Sequence, residues 1–201
     1  TGVQTCALPI YWSKDIRYTT SNTITFEDKY GDHSVRLLAG QEAMRDKLDL
    51  LGLSSPKVNP SIPYPTTSPS ADDQGDYNLV DESLLSFFGV FDYNYLNRYY
   101  LQASVRADGS SLFGSNNKWG VFWSVGGSWN VSKENWMKWS RQWLSALKIR
   151  ASYGVNGNNN ISPYKAYGLY GTTQYNGITG MVPSSPANPN LSWEKNATYN
   201  I

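Results

Sequence analysis

The sequence predicts an all-β chain of about seven antiparallel strands, with the pattern expected for part of the wall of a large transmembrane β-barrel. Three observations lead to this prediction: apolar and polar residues alternate over long runs, aromatic residues make up 14% of the chain, and short and long connections follow each other in turn. Because successive side chains of a strand point to opposite faces, alternation with a period of two indicates strands with one apolar face and one polar face.

The composition argues against several other classes of protein. No run approaches the roughly 18 consecutive apolar residues that a membrane-spanning helix needs. A formal net charge of +1 offers no support for a basic surface that binds nucleic acid. The chain holds one cysteine, Cys6, and one histidine, His33, which make neither an internal disulfide nor a metal cluster, and no third group completes a nucleophile pair. We therefore expect no enzyme activity, no cofactor and no metal site.

The clearest strands form a hairpin in the middle of the chain. Two alternating runs, 99–108 and 119–131, flank a polar loop that carries Gly109 and Gly114. The apolar faces of the two runs contain Tyr99, Leu101, Ala103, Val105, Ala107, Trp119, Val121, Trp123, Val125, Trp129 and Val131. Each run has about ten residues or more, which is long for a soluble strand and suits a tilted strand that crosses a bilayer.

The first part of the chain predicts one hairpin after an opening that we set aside. Residues 1–10 resemble translated sequencing-adapter sequence, so we treat them as a non-native segment and take residues 11–201 as a partial barrel. Residues 16–27 alternate weakly, 28–32 carry a turn signal, and 33–41 alternate again. These segments predict a first and a second strand joined by a short turn.

The region between the second and third strands predicts a break in the sheet. Apolar residues recur at spacings of four and three between Met44 and Leu51, which favours a short helical turn over residues 42–51. Five prolines then lie within residues 52–76, and proline cannot take part in a regular ladder of hydrogen bonds. We therefore predict a long loop there, followed by a third strand at 83–95.

The last third of the chain predicts further strands between irregular connections. Residues 132–146 carry three tryptophans and predict a helix of one or two turns within a connection. Residues 147–156 alternate and predict another strand. A long loop rich in Asn, Gly and Pro follows at 157–191, and residues 192–201 begin a final strand.

The lengths of the predicted connections alternate along the chain. The short or moderate connections are residues 28–32, 96–98 and 132–146, and the mostly long, polar ones are residues 42–81, 108–117 and 157–191. Outer-membrane barrels show this asymmetry, with short periplasmic turns on one side and long extracellular loops on the other. A soluble β-sandwich has no reason to sort its connections in this way, so the alternation favours the barrel.

Charged and polar side chains share the face opposite to the apolar one. They are Arg106, Asp108, Lys148, Arg150, Glu194 and Asn196. In a barrel this face lines a water-filled or plugged lumen, and in another kind of sheet it is a solvated surface, so periodicity alone leaves both open. Arg106, Asp108 and Arg150 are our candidates for solute contact or for anchoring a loop. The Asp-Gly-Ser-Ser sequence that starts at Asp108 favours anchoring, because it favours turn formation.

Four motifs occur in a fixed order in the second half of the chain. Residues 106–114 read RADGSSLFG and residues 117–129 read NKWGVFWSVGGSW. Residues 147–158 read LKIRASYGVNGN and residues 188–195 read NPNLSWEK. These motifs resemble the R-x-DGSS-x-FG, W-G-x-F-x-S-x-x-x-x-W, L-K-[LI]-R-x-SYG-x-x-GN and NPxLxWE segments of SusC/RagA-type TonB-linked outer-membrane proteins. Their order and spacing agree with that family over residues 81–201.

This resemblance implies a barrel of roughly 22 strands with an N-terminal plug, placed in the outer membrane of a Gram-negative bacterium. It implies a TonB-dependent receptor that imports oligosaccharides or peptides with energy delivered by TonB. A SusD-like surface lipoprotein would be its partner, and outer-membrane lipid would surround it. The plug and the TonB box of that family do not occur in these 201 residues, so we expect an internal fragment of a longer protein.

Two other interpretations stay open from the sequence. In the first, Trp119, Trp123 and Trp129 form the sugar-stacking platform of a soluble carbohydrate-binding β-sandwich. In the second, the chain belongs to a barrel of another class, a porin or a secretion pore, which has the same alternation. A layer of protein over the apolar face would indicate the sandwich, whereas an uncovered apolar face would indicate a barrel.

Overall fold

The structure, a computed structural model, describes residues 8–55 and 74–201. The strands in these residues are β1 (Leu8–Tyr30), β2 (His33–Ser55), β3 (Gln74–Tyr95), β4 (Tyr99–Ser110), β5 (Trp119–Asn130), β6 (Lys148–Asn158), β7 (Leu169–Tyr175), β8 (Ile178–Ser185) and β9 (Glu194–Asn200). The first three strands have 22 or 23 residues, whereas the others have 7 to 12.

Seven of these strands form one antiparallel sheet in the order β1-β2-β3-β4-β5-β6-β9, and β7 pairs with β8 in a separate two-stranded sheet. The prediction of about seven antiparallel strands is confirmed. Strands β1 and β9 are the two edges of the large sheet, so the described residues do not close a barrel by themselves. Two compact units can be distinguished, one from residues 8–18, 45–55 and 74–82, the other from residues 19–44 and 83–201.

Strands β4 and β5 pair as the alternation predicts. The register places Val105 of β4 opposite Trp123 of β5, so the odd-numbered residues of both strands share one face. The odd-numbered residues of β3 (from Leu85) and of β6 continue that face, with Val155 of β6 opposite Trp123. We call the odd-numbered residues of these four strands, counted from Leu85 in β3 and as far as Val155 in β6, the apolar face, and the even-numbered residues of the same stretches the polar face.

Short and long connections lie at opposite ends of the strands, as predicted. At one end, a two-residue turn joins β1 to β2, and residues 96–98 join β3 to β4. The backbone amide of Leu96 donates to the carbonyl oxygen of Asp32 at 2.9 Å, and that of Asn130 donates to the carbonyl oxygen of Arg98 at 2.8 Å. The β4–β5 loop and the long connection from β6 to β9 lie at the other end. We call the end that carries the two short connections the short-turn end.

The predicted helical turn at 42–51 is wrong, because β2 runs through this segment. Ion pairs favour the extended conformation here. Arg45 donates to both carboxylate oxygens of Asp81, with Nε–Oδ1 and Nη2–Oδ2 distances of 3.0 and 2.7 Å. Arg17 of β1 also pairs with Asp46 of β2, where its Nε and Nη2 both donate to the same carboxylate oxygen, Oδ2. Pairing with neighbouring strands therefore outweighs the weak helical spacing of a few apolar residues.

Two predictions fall partly outside the described residues. The loop predicted at 52–76 is shorter at both ends than expected, because β2 continues to Ser55 and β3 begins at Gln74, and the rest of it lies outside the described part. Strand β1 begins at Leu8, within the opening segment 1–10 that we set aside. Residues 1–7 are outside the described part as well, and the adapter origin of the opening segment stays a prediction.

The prediction of an irregular loop at 157–191 is wrong in its middle, where β7 and β8 form a hairpin. Asn176 and Gly177 make the turn, and their φ angles of 47° and 79° are both positive. Two positive φ angles characterise a type I′ turn, for which Asn-Gly is the favoured pair. This dipeptide is the sequence signal for the hairpin.

The connection between β5 and β6 contains the predicted helical turns, in the tighter 3₁₀ form. Two 3₁₀ helices span Val131–Lys133 and Asn135–Gln142. In the described part of the chain, no helix has both the length and the apolar character needed to cross a bilayer.

Candidate functional site

The apolar face of the large sheet is left uncovered along its central strands. Eight of its large side chains keep 40% to 54% of their surface exposed: Phe87, Leu101, Val105, Trp119, Val121, Trp123, Val125 and Ile149. A soluble sandwich would bury this face beneath a second sheet, and within the described residues no such layer covers it. An apolar surface of this extent is typical of a surface that meets a membrane or another protein, so the described strands do not form the two packed layers of a sandwich by themselves.

On the polar face, Arg106 stands at the centre of a charged cluster. Its Nε donates to Asp108 Oδ1 at 2.6 Å. Its Nη2 donates to Ser86 Oγ at 2.9 Å and to Glu42 Oε1 at 3.3 Å. Strand pairing builds this arrangement, because Ser86 of β3 lies opposite Asp108 of β4 in the register. Ser86 and Asp108 are buried, so Arg106 supplies hydrogen bonds that these two side chains could not obtain from water.

Beyond this cluster, the β4–β5 loop packs against the segment before β9. We call residues 111–118 the docking loop and residues 188–193 the docking segment. The backbone amide of Gly114 donates to a carbonyl oxygen of the docking segment at 3.1 Å, and two asparagine side chains of the loop donate to Asn190 at 3.0 Å. A Cβ atom on Gly114 would collide with the carbonyl group of Pro189, so this close approach requires glycine. Three of the four sequence motifs therefore meet in space.

Aromatic rings fill the space between the docking loop and the polar face. Phe113 is 1% exposed, and its ring lies 4.6 Å from that of Trp193. The edge of the Phe122 ring meets Trp193 at 5.2 Å, and the Trp193 indole Nε1 donates to the carbonyl oxygen of Lys118 at 3.1 Å. A Cβ on Gly157 would overlap the Phe122 ring. The buried core of this part of the sheet thus lies on its polar face.

A concavity of 860 Å³ occupies the polar face nearer the short-turn end. Charged side chains line it, among them Glu27, Arg36, Asp92, Lys148 and Arg150. Arg36 Nε donates to a carboxylate oxygen of Asp92 at 2.9 Å, which holds two of these groups in place. Arginine and lysine donors beside carboxylate acceptors form a surface that can hydrogen-bond a polar solute.

The structure brings together two of the three predicted site residues. Arg106 and Asp108 share an ion pair, whereas Arg150 lies in the separate concavity. Whether they anchor a loop or contact a solute stays a prediction. The sequence did not single out Phe113 or Trp193 as a contact, although both lie within the motifs. The sequence signal for a buried contact here was the apolar pair Leu112-Phe113 in an otherwise polar loop.

His33 and Cys6 are the two residues considered above as a nucleophile pair. His33 Nδ1 lies 2.7 Å from the Tyr93 hydroxyl oxygen. Cys6, the other residue of the pair considered above, lies outside the described residues. Within residues 8–55 and 74–201, no group of three or more His, Cys, Asp or Glu side chains is placed to hold a metal ion. The described side chains can pack the docking loop against the sheet, and they can bind and orient a polar solute.

Comparison with known sequences gives a consistent result. The sequence model of the family described as "TonB dependent receptor-like, beta-barrel" matches residues 7–201. The chain is 32% identical over 197 residues to TonB-dependent receptor P26 of Formosa agariphila, covering 92% of this chain and 19% of that protein. It is 40% identical over 126 residues to TonB-dependent receptor SusC of Bacteroides thetaiotaomicron, covering 59% of this chain and 12% of that protein.

Solved structures agree with the sequence comparison. The RagAB peptide transporter matches with a TM-score of 0.83 and 29% identity, over 96% of this chain and 22% of that one. The RagAB peptide importer in its closed-closed state matches with a TM-score of 0.85 and 28% identity, over 95% of this chain and 22% of that one. Almost the whole of this chain matches TonB-dependent receptor P26 and the RagAB peptide transporter. It spans about a fifth of the length of each of those proteins.

Proposed function

Because this chain belongs to the TonB-dependent receptor-like β-barrel family, we propose that it forms seven strands of the barrel wall of an outer-membrane importer. The family consists of transporters and receptors, not of enzymes, and its members are outer-membrane proteins of Gram-negative bacteria. Membership in this family also sets aside the porin and the secretion pore as interpretations.

The observation that carries the proposal is the contrast between the two faces of the central strands. The apolar face is uncovered, and the polar face holds charged side chains and the docked loop. In a barrel wall the first faces lipid hydrocarbon and the second faces the lumen. This assignment places the short-turn end in the periplasm and the docking loop at the extracellular end.

The proposed cargo is an oligosaccharide or a peptide, taken up with a SusD-like lipoprotein as partner and with TonB as the source of energy. The likeness to SusC and to the RagAB peptide transporter supports this choice. In this proposal, Arg106 and Asp108 anchor the docking loop that shapes the extracellular entry, because their ion pair lies near the end of β4, next to that loop. Arg150 contacts solute in the concavity of the polar face.

The barrel assignment is tested by placing an arginine on each face of the full-length protein. Trp123→Arg puts a charge into the lipid-facing side of β5, and we expect it to destabilise the barrel by roughly 2–4 kcal/mol. Gln102→Arg is the control, because Gln102 is an exposed residue of the polar face of β4, where it lies opposite Gly126 of β5. The measurement is the fraction of folded barrel in outer-membrane extracts, read from heat-modifiable electrophoretic mobility. Equal assembly of the two variants would contradict a lipid-facing wall.

Cargo and partner are tested in cells that carry the full-length receptor with an affinity tag. We expect a surface lipoprotein encoded beside the receptor to co-purify with it. Deletion of the receptor should abolish uptake of either labelled oligosaccharides or labelled peptides, while uptake of the other class continues. If the deletion leaves uptake of both classes unchanged, the importer proposal is wrong.

A further inference from the structure

A tryptophan-bearing surface at the short-turn end is not explained by transport through the lumen. We call residues 131–143 the Trp segment; it comprises the two 3₁₀ helices and the residue after them. A 3₁₀ helix has three residues per turn, so every third side chain points in the same direction. Glu134, Met137 and Ser140 form the buried side of the segment, with 7%, 7% and 1% of their surface exposed.

The tryptophans of the Trp segment lie away from this attached side. Trp136, Trp139 and Trp143 keep 59%, 67% and 68% of their surface exposed, and the last two rings lie 5.7 Å apart. A single exposed tryptophan is unremarkable, but three on one short segment expose a large apolar area together. Tryptophan is enriched where hydrocarbon meets water, because its ring is apolar and its N–H needs a polar partner.

Hydrogen bonds connect the Trp segment to the apolar face of the sheet. The Tyr99 hydroxyl donates to Glu134 Oε1 at 2.7 Å, and the Trp129 indole Nε1 donates to the same oxygen at 3.0 Å. Both rings belong to the apolar face, where Tyr95, Tyr99 and Trp129 stack in a row with centroids 6.2 and 6.3 Å apart. Through Glu134, the Trp segment is therefore held beside a row of aromatic residues at the end of the apolar face.

The charges of the Trp segment suit an anionic surface. Lys133 and Lys138 are exposed. Glu134 is turned inward, where it also pairs with Arg98 at 3.3 Å. Hydrogen bonds from Tyr99 and Trp129 hold the pKa of Glu134 below its usual range, so this carboxylate is charged but shielded. Basic side chains beside exposed tryptophans are typical of segments that lie in the interfacial zone of a membrane with anionic lipids.

We propose that the Trp segment is a membrane-interface anchor that lies in the periplasm-facing leaflet. Its three exposed indoles lie at the boundary between headgroups and acyl chains, and its two lysines lie near lipid phosphates. This inference rests on the proposed function, because it requires the sheet to be a barrel wall with its short-turn end in the periplasm.

The test places a fluorescent label on the full-length receptor in vesicles of phosphatidylcholine and phosphatidylglycerol. Native cysteines are replaced by serine, and single cysteines are introduced by Trp139→Cys, Asn135→Cys or Val125→Cys. Two quenchers are compared: a nitroxide near the headgroup end of the acyl chain, and aqueous iodide. Asn135 is an exposed polar residue of the same helix, and Val125 lies on the apolar face of β5, so they are the two controls.

We expect the label at position 139 to be quenched by the nitroxide lipid at least threefold more than the label at 135, and to be protected from iodide. Free access of iodide at 139 together with lipid quenching at 125 overturns the anchor while leaving the barrel intact. Protection at 139 from both quenchers also overturns it, because protein then covers the segment. Absence of lipid quenching at 125 would instead refute the proposed barrel wall.

Discussion

The two faces of β4 and β5 are stabilised in opposite ways. On the apolar face, large side chains such as Trp123 stay about half exposed and have few partners from the chain itself. On the polar face, the docking loop closes over a small core in which Phe113 is almost fully buried, and the carboxylate of Asp108 on the same face is buried as well. The first face depends on the solvent around it, whereas the second depends on specific packing and hydrogen bonds.

This difference shows what each kind of residue contributes to the protein. A fluid lipid fills any shape, so the apolar face needs hydrophobicity but little complementarity. The interior beneath the docking loop needs complementarity, since protein cores are packed as densely as organic crystals. Gly114 illustrates the stricter requirement, because even one added methyl group would collide with Pro189. Removing the same side chain from the two faces should therefore lower the free energy of unfolding by different amounts.

The largest effect in this comparison is expected from matched phenylalanine truncations in the full-length protein. Phe113→Ala removes a buried ring and leaves a cavity, so it should lower the free energy of unfolding by about 3–5 kcal/mol. Phe87→Ala removes a half-exposed ring from the apolar face, where lipid fills the gap, so only the transfer term of about 1.5–3 kcal/mol is lost. Denaturant titration in lipid vesicles measures both, and equal costs would remove the distinction between the faces.

Amide hydrogen exchange sharpens the same comparison. The Gly114 amide is bonded to the docking segment, and it should exchange faster in Phe113→Ala because the docked loop loses its central ring. The same amide should be unaffected in Phe87→Ala, which acts on the opposite face. Faster exchange in both variants would show that the two faces are coupled.

The sequence predicted β4, β5 and β6 well because two different environments impose the alternation. Each side chain of these strands meets either a non-polar or a polar surrounding, so the period of two is visible in every second residue. Strand β2 beyond residue 41 was missed because that pattern fades there. Its extended conformation depends on charged partners such as Asp81, which no local pattern reveals.

The docked loop could not be predicted for a related reason. Trp193 bonds to the carbonyl oxygen of Lys118 across 75 positions of sequence, and the alternation of single strands carries no information about such pairs. The motifs identified both segments but not their contact. The β7–β8 hairpin was predictable in principle, because its Asn-Gly turn is a local signal that requires no distant partner.

The smallest expected effect separates the two roles assigned to the predicted site residues. Asp108→Asn weakens the 2.6 Å ion pair with Arg106. This should lower the free energy that holds the docking loop in place by about 1–2 kcal/mol. Exchange of the amides in the docking loop should then rise by roughly 5- to 30-fold, since each 1.36 kcal/mol is a factor of ten. Arg150→Gln should leave this exchange unchanged and weaken solute binding, because Arg150 lies in the separate concavity. If Asp108→Asn lowered solute binding while the loop stayed fully protected, Asp108 would be a solute contact and the anchoring role would be lost.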